Sequence, residues 1–162
     1  MITFEKDNIV FLYRVGGIAI HENKVLLNKG EHGDFWWIPG GRCELLETTK
    51  EALLREMEEE LNTRIVIDRL LYVIENFFIL DGKNHQEIGF YYLVHFPEDF
   101  YPKTVNSIFL GQEGENKLIY QWFEINDLGN VRLFPSILRK KLKNIKGIPE
   151  HVIHVDHKSK EK

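Results

Sequence analysis

Apolar and polar positions along this chain follow first one period and then another, and each change marks an element. Residues 11–20, FLYRVGGIAI, are rich in β-branched and aromatic side chains and predict a strand. A polar turn at His21-Glu22-Asn23 and an apolar return over 24–28 complete a hairpin pattern. Residues 30–34 predict a loop, and 35–39 a short extended piece that Gly40 and Gly41 terminate. The spacing then becomes helical, with Leu53, Leu54, Met57 and Leu61 on one stripe. Thr48 stands three residues before Glu51, which is a capping box, and Asn62 closes the helix because it tolerates the left-handed conformation. Residues 64–80 predict a long or bent strand, 81–84 (DGKN) a hairpin turn, and 87–96 the returning strand. Residues 97–116 show little periodicity and predict a loop. A further strand is expected over 117–125 and a second helix over 135–142, with Pro135 at an early position. Strands and helices mixed in this order predict one α/β domain with a mixed sheet over 1–147, followed by a partly flexible tail over 148–162.

Composition narrows the class. The 162 residues are 43% hydrophobic and 12% aromatic, enough for one packed core. The apolar runs are too short for a membrane span, and the N-terminus lacks a basic region followed by an apolar stretch, so no membrane partner is expected. A lone Cys43 excludes an internal disulfide and suits a reduced, cytoplasmic setting. The tail from Arg139 is basic and places His151, His154 and His157 three apart. A solvated end is the simpler account, and nucleic acid is not an expected partner.

Charge changes the picture more than composition does. The net charge is −4, but residues 44–60 hold seven acids and two bases, so the remaining chain is slightly positive. Within the expected helix, Glu56, Glu59 and Glu60 fall in an arc of about 100°, beside the apolar stripe, whereas Glu58 points elsewhere. Like-charged pairs on an exposed helix cost roughly 0.2–0.5 kcal/mol each, so a solvated face is one account of the cluster. Three carboxylates converging from one rigid helix also suit a hard divalent cation such as Mg²⁺ or Mn²⁺. A negative patch that meets polyphosphate needs such a cation.

The spacing Gly41-x5-Glu47-x7-Arg55-Glu56-Met57-x-Glu59-Glu60 resembles the Nudix box of the Nudix hydrolases, and the preceding WWIPG resembles the lead-in common there. Asn62 stands where the family has Gly, Thr63 where an apolar residue is usual, and Leu46 where many members have Gly; no carboxylate is lost. The resemblance implies the Nudix fold, an α/β/α sandwich around a mixed β-sheet. It implies Mg²⁺-dependent (or Mn²⁺-dependent) hydrolysis of a pyrophosphate linkage in a nucleoside diphosphate derivative, such as a nucleoside triphosphate, nucleotide sugar or dinucleotide. By the same resemblance Glu56, Glu59, Glu60 and the Gly40 carbonyl hold the metal, Arg55 and Glu47 pair behind them, and Glu59 is the first choice to orient or deprotonate water. Glu113, Glu115 and Glu87 are candidates for a carboxylate recruited from outside the box. Arg14, Lys29 and Arg42 are candidate phosphate partners, and Trp37 and Phe90 candidate base-stacking residues. The proline and the downstream tyrosine that mark some substrate classes are not found, so no substrate is singled out. A nucleotide-sensing module without turnover and an RNA 5′-end pyrophosphohydrolase are the alternatives. The sensing module is disfavoured because every box carboxylate is kept. A homodimer is implied only by family analogy.

Overall fold

The computed structural model describes residues 1–156; His157, the third histidine of the tail, lies outside the described residues. Its central element is β2 (Ile9–His21), with β1 (Thr3–Lys6) paired against its start. Glu22 and Asn23 have φ of 48° and 63°, the left-handed pair that turns a tight hairpin into β3 (Lys24–Gly30). The two strands stay paired only at Ile20–Val25 and His21–Lys24, then separate. Beyond that point β2 pairs antiparallel with β4 (Gly40–Arg42) on the same edge. Gly40 and Gly41 are thus strand residues rather than terminators.

On its other edge β2 runs parallel to β6 (Lys83–His95), which forms a hairpin with β5 (Val66–Leu80). Asp81 and Gly82, at φ of 50° and 76°, make the turn, and two register shifts in β5 bend the strand as its length suggested. β3 in turn pairs with β8 (Asn116–Glu124), which pairs with β7 (Phe109–Glu113). The order β7-β8-β3-β2-β6-β5-β9, where β9 is Glu150–Asp156, is mixed, as expected.

Strand alternation sends Val15, Ala19, Leu26, Tyr92 and Tyr120 to one face, and Ile18, Val25, Leu27 and Tyr91 to the other. The first face is covered by α1 (Thr49–Leu61) through Ala52, Leu53 and Met57. The second is covered by the 3₁₀ turn Ile125–Asn130 through Leu128, by α3 (Leu138–Lys141) through Leu138, and by Leu133 of the segment between them. These are the outer layers of an α/β/α sandwich. α1 begins on the Thr48–Glu51 capping box and ends at Asn62, whose φ is 49°. Among the described residues no helix is long and apolar enough to cross a membrane.

Four expectations are corrected. Residues 97–116 are not a plain loop: α2 (Phe100–Thr104) and β7 lie within them. β7 has no periodicity to read because it is a short, largely exposed edge strand whose hairpin partner defines it. The second helix is a single turn: the N–H groups of Leu138, Arg139 and Lys140 bond three residues back, to the Pro135, Ser136 and Ile137 carbonyls, so most of the segment is tight turn rather than α-helix. The tail from 148 carries β9 (Glu150–Asp156), parallel to β5, so the packed domain extends past 147. Its alternation is hidden in a run of mixed charge that pairs with its neighbours, His151 with Glu75 of β5 at 2.6 Å and Glu150 with Lys141 of α3 at 2.8 Å. Leu54, placed on the apolar stripe, is 44% exposed, while Glu56 and Glu60 are buried in its stead.

Candidate active site

The capping box and the αL residue at its end fix the length of α1, and this sets which side chains face the β-sheet. Glu56 and Glu60 are one turn apart on its inner edge. Glu59 and Glu58 are exposed. Glu56, Glu59 and Glu60 face Gln112, Glu113 and Gly114 of the β7–β8 hairpin across a cavity of about 400 Å³. Of the three candidate acids outside the helix, the fold brings only Glu113 to this cavity. Glu115 is exposed and stands outside its lining. Glu87 is buried on β6, where burial raises its pKa against the pull of Arg14 and Arg42. Another depression, of about 460 Å³, borders the β2–β3 turn and α2, and its acids are Glu22 and Glu98.

Two glycines let the backbone approach. A Cβ on Gly41 would lie 2.2 Å from the Glu56 carboxyl carbon, and one on Gly40 would lie 2.0 Å from the Val15 carbonyl oxygen. Gly40 therefore lets β4 lie close against the β2 backbone, and Gly41 leaves the Glu56 carboxylate the space a side chain would take.

Arg55 organises the acids. Its Nε and Nη2 donate to both oxygens of Glu47, at 2.8 and 2.9 Å, the forked arrangement that guanidinium and carboxylate favour. Its Nη1 donates to Glu56 at 2.9 Å and Glu59 at 3.3 Å, and Nη2 also reaches the Arg42 carbonyl at 3.1 Å. The Arg55 hydrogen bonds hold the Glu47 carboxyl below its ordinary pKa. Burial does the reverse to Glu56, whose pKa is raised despite Arg55. Glu60 is pushed up to about 8, first by burial and then by Glu56, even though the Tyr120 hydroxyl donates to it.

Among the described residues no three acids, histidines or cysteines are already drawn together tightly enough to grip an ion. Their present partners explain this: Glu56 and Glu59 lean on Arg55, and Glu60 on Tyr120. The donor set nonetheless fits a hard divalent cation. It consists of carboxylate oxygens, two of them on buried side chains, one sharing Arg55 with its neighbours and the other held by a neutral hydroxyl, beside a glycine-lined backbone.

The other candidates are placed elsewhere. Arg14 donates to the Ile38 carbonyl at 2.7 Å, and Arg42 is its cross-strand partner. Alternation from Val15 turns both toward the face opposite α1. Lys29 lies 5.0 Å from the Trp36 ring, also on that face. Trp37 and Phe90 do pack on the α1 side, yet neither lines the carboxylate cavity. Sequence reasoning missed Tyr120, Gln112 and Asn28. Tyr120 reads as an ordinary core aromatic in a strand, and nothing in its local pattern signals a carboxylate partner.

Comparison with known proteins gives a consistent picture. A NUDIX domain model matches residues 10–145. An uncharacterized Nudix hydrolase of Bacillus subtilis, YvcI, is 28% identical over 129 residues, covering 79% of this chain and 76% of its own length. The crystal structure of a UDP-X diphosphatase superposes with a TM-score of 0.59 at 22% identity, covering 87% of this chain and 66% of that one. A NUDIX hydrolase from Nitrosomonas europaea superposes with a TM-score of 0.55 at 22% identity, over 91% of this chain and 79% of its own. At such identities the two superpositions speak for the fold alone. The chain spans just under two thirds of the UDP-X diphosphatase structure.

Proposed function

The chain belongs to the Nudix hydrolase family, and from that premise we propose that it is a Mg²⁺-dependent enzyme hydrolysing the pyrophosphate linkage of a nucleoside diphosphate joined to a further group. The observation that carries this reading is the convergence of Glu56, Glu59, Glu60 and Glu113 on one cavity, behind which Arg55 ties the helix to Glu47.

Glu56, Glu59, Glu60 and the Gly40 carbonyl would hold Mg²⁺, or Mn²⁺ in its place. The cation supplies neutralisation of the phosphate oxygens. The chain's own groups do the rest. Glu59 is the most open of the helix acids facing the cavity, with a side chain 59% exposed, so it can meet a water without first leaving the core. Its carboxylate takes the proton as the water oxygen attacks phosphorus and the bridging P–O bond breaks to the leaving phosphate. Glu113 faces it across the cavity and is the second group able to orient that water. Arg55 links Glu56 and Glu59 through a single nitrogen, Nη1, and Glu47 holds Arg55 in place.

The test is a panel of nucleoside triphosphates, nucleotide sugars, ADP-ribose, NADH, dinucleoside polyphosphates and capped RNA, incubated with Mg²⁺ and followed by phosphate products. Glu59→Gln should lower turnover of the best substrate by about 100-fold or more, with the far-UV spectrum unchanged. Near-full activity in that variant would take the proton-accepting role from Glu59 and leave Glu113→Gln as the variant to compare.

A further inference from the structure

Glu60 is the most deeply set of the helix acids, at 5% exposure, and the carboxylate has a single hydrogen-bond donor among the described residues: the Tyr120 hydroxyl. Tyr120 is itself at 0% exposure. It comes from β8, far away in sequence, and its ring fills the space between the last turn of α1, β3 and the β7 hairpin strand. Two details show how closely that space is built. A Cβ on Gly111 would lie 2.4 Å from the Tyr120 ring and 2.9 Å from the Glu60 carbonyl oxygen. Asn28 stands directly opposite Tyr120 in the β3–β8 register, has 0% exposure, and has no hydrogen-bond partner for either atom of its amide.

A buried amide with neither group satisfied is uncommon, and it calls for an explanation in the site it faces. The phenol oxygen has one proton and two lone pairs. The proton goes to Glu60. A lone pair stays available to an Asn28 N–H from the same sheet face. The Tyr120 hydroxyl therefore ties one oxygen of Glu60, Oε2, to the sheet, and Oε1 has no hydrogen-bond partner among the described residues.

We infer that Tyr120, backed by Asn28, is the positioning residue that holds Glu60 with one oxygen tied to the sheet and the other presented to a divalent cation. This rests on the metal reading above. A carboxylate held by one oxygen offers a single ligand of fixed direction, which suits the strict octahedron of Mg²⁺ or Mn²⁺. Ca²⁺ accepts flexible, two-oxygen carboxylates. Tyr120 should then contribute to cation affinity and to the preference for the smaller ion, without touching substrate.

The experiment compares wild type with Tyr120→Phe, which keeps the ring and removes only the hydroxyl. Mn²⁺ binding is measured by electron paramagnetic resonance of the free ion, with Mg²⁺ and Ca²⁺ as competitors and no substrate present. Tyr120→Phe should bind Mn²⁺ about 10-fold more weakly, in the range seen when a ligand's supporting partner is removed, and should discriminate less against Ca²⁺. A purely structural role would lower the melting temperature and leave affinity per folded molecule unchanged, and that result overturns the inference. If the variant fails to fold, wild type still decides: cation titration should perturb tyrosine absorption, and no perturbation at saturating Mn²⁺ overturns it. Wild type that binds no Mn²⁺ overturns this inference together with the metal reading. Binding by wild type and equal binding by Tyr120→Phe overturns the inference alone.

Discussion

Glutamates of one short segment occupy different electrostatic situations here, and their neighbours decide which. Glu47 is held ionised by Arg55, Glu56 and Glu60 are driven toward the neutral form by burial, and Glu59 stands in solvent. Their spacing places 56, 59 and 60 on one arc, but it says nothing of which is desolvated, because desolvation depends on what covers each one. Leu46 makes the same point about backbone. It sits at φ 64°, fully solvent-exposed, in the loop before α1. A branched side chain there strains the left-handed conformation by about 1–2 kcal/mol, while glycine would give back about 0.4–1 kcal/mol through the greater freedom of the unfolded chain. Leu46→Gly should therefore stabilise the protein by roughly 0.5–1 kcal/mol, read as a higher urea midpoint with an unchanged slope. A lower midpoint would show that the leucine makes a contact worth more than its strain.

At the scale of elements, α1 was legible from end to end. Thr48, Glu51 and Asn62 act through their own backbone neighbours, so local sequence carries the whole signal. β7 and β9 were not legible, because each is an edge strand defined by a partner distant in the fold or by a hairpin turn. β9 ends on Asp156, which receives the Ser136 backbone N–H at 3.2 Å and the Asn76 side-chain amide at 3.1 Å. Ser136 Oγ and His154 also reach it. Burial pushes the Asp156 pKa up, but these bonds outweigh it and leave it below the ordinary 3.8. A folded pKa below the unfolded one means stability that is complete above the ordinary value and lost as pH falls through the folded value. Asp156→Asn should cost roughly 1.5–3 kcal/mol at neutral pH. The gap between wild type and variant, measured by urea unfolding, should hold down to about pH 5 and close only below 3.8. A gap that closes well above pH 5 would show that the Asp156 carboxylate is not its source.

At the scale of the molecule, β2 is the common member of the assembly, paired with β1, β4 and β3 along one edge and with β6 along the other. Cys43 follows β4 and reports on this junction. Its N–H donates to the Tyr13 carbonyl at 3.0 Å, its carbonyl accepts from Ile2 at 2.6 Å, and its side chain is fully buried. Burial, and after it Glu47, push the thiol up to about 11. Native protein at pH near 8 should resist a thiol reagent over a period in which urea-unfolded protein is fully labelled. Rapid native labelling would mean that β1 and β4 open locally without global unfolding. The amino-acid sequence by itself determined the capped helix, the hairpins at Glu22-Asn23 and Asp81-Gly82, the mixed α/β class and the arc of three acids, since all of these rest on local period, turn chemistry and spacing. Only the tertiary structure decided that Glu113 rather than Glu115 faces that arc, that Arg14 and Lys29 turn away, and that Tyr120 and Asn28 stand behind Glu60. Those outcomes depend on strand register and on which face each strand buries, and a one-residue change in register reverses them without altering any local pattern.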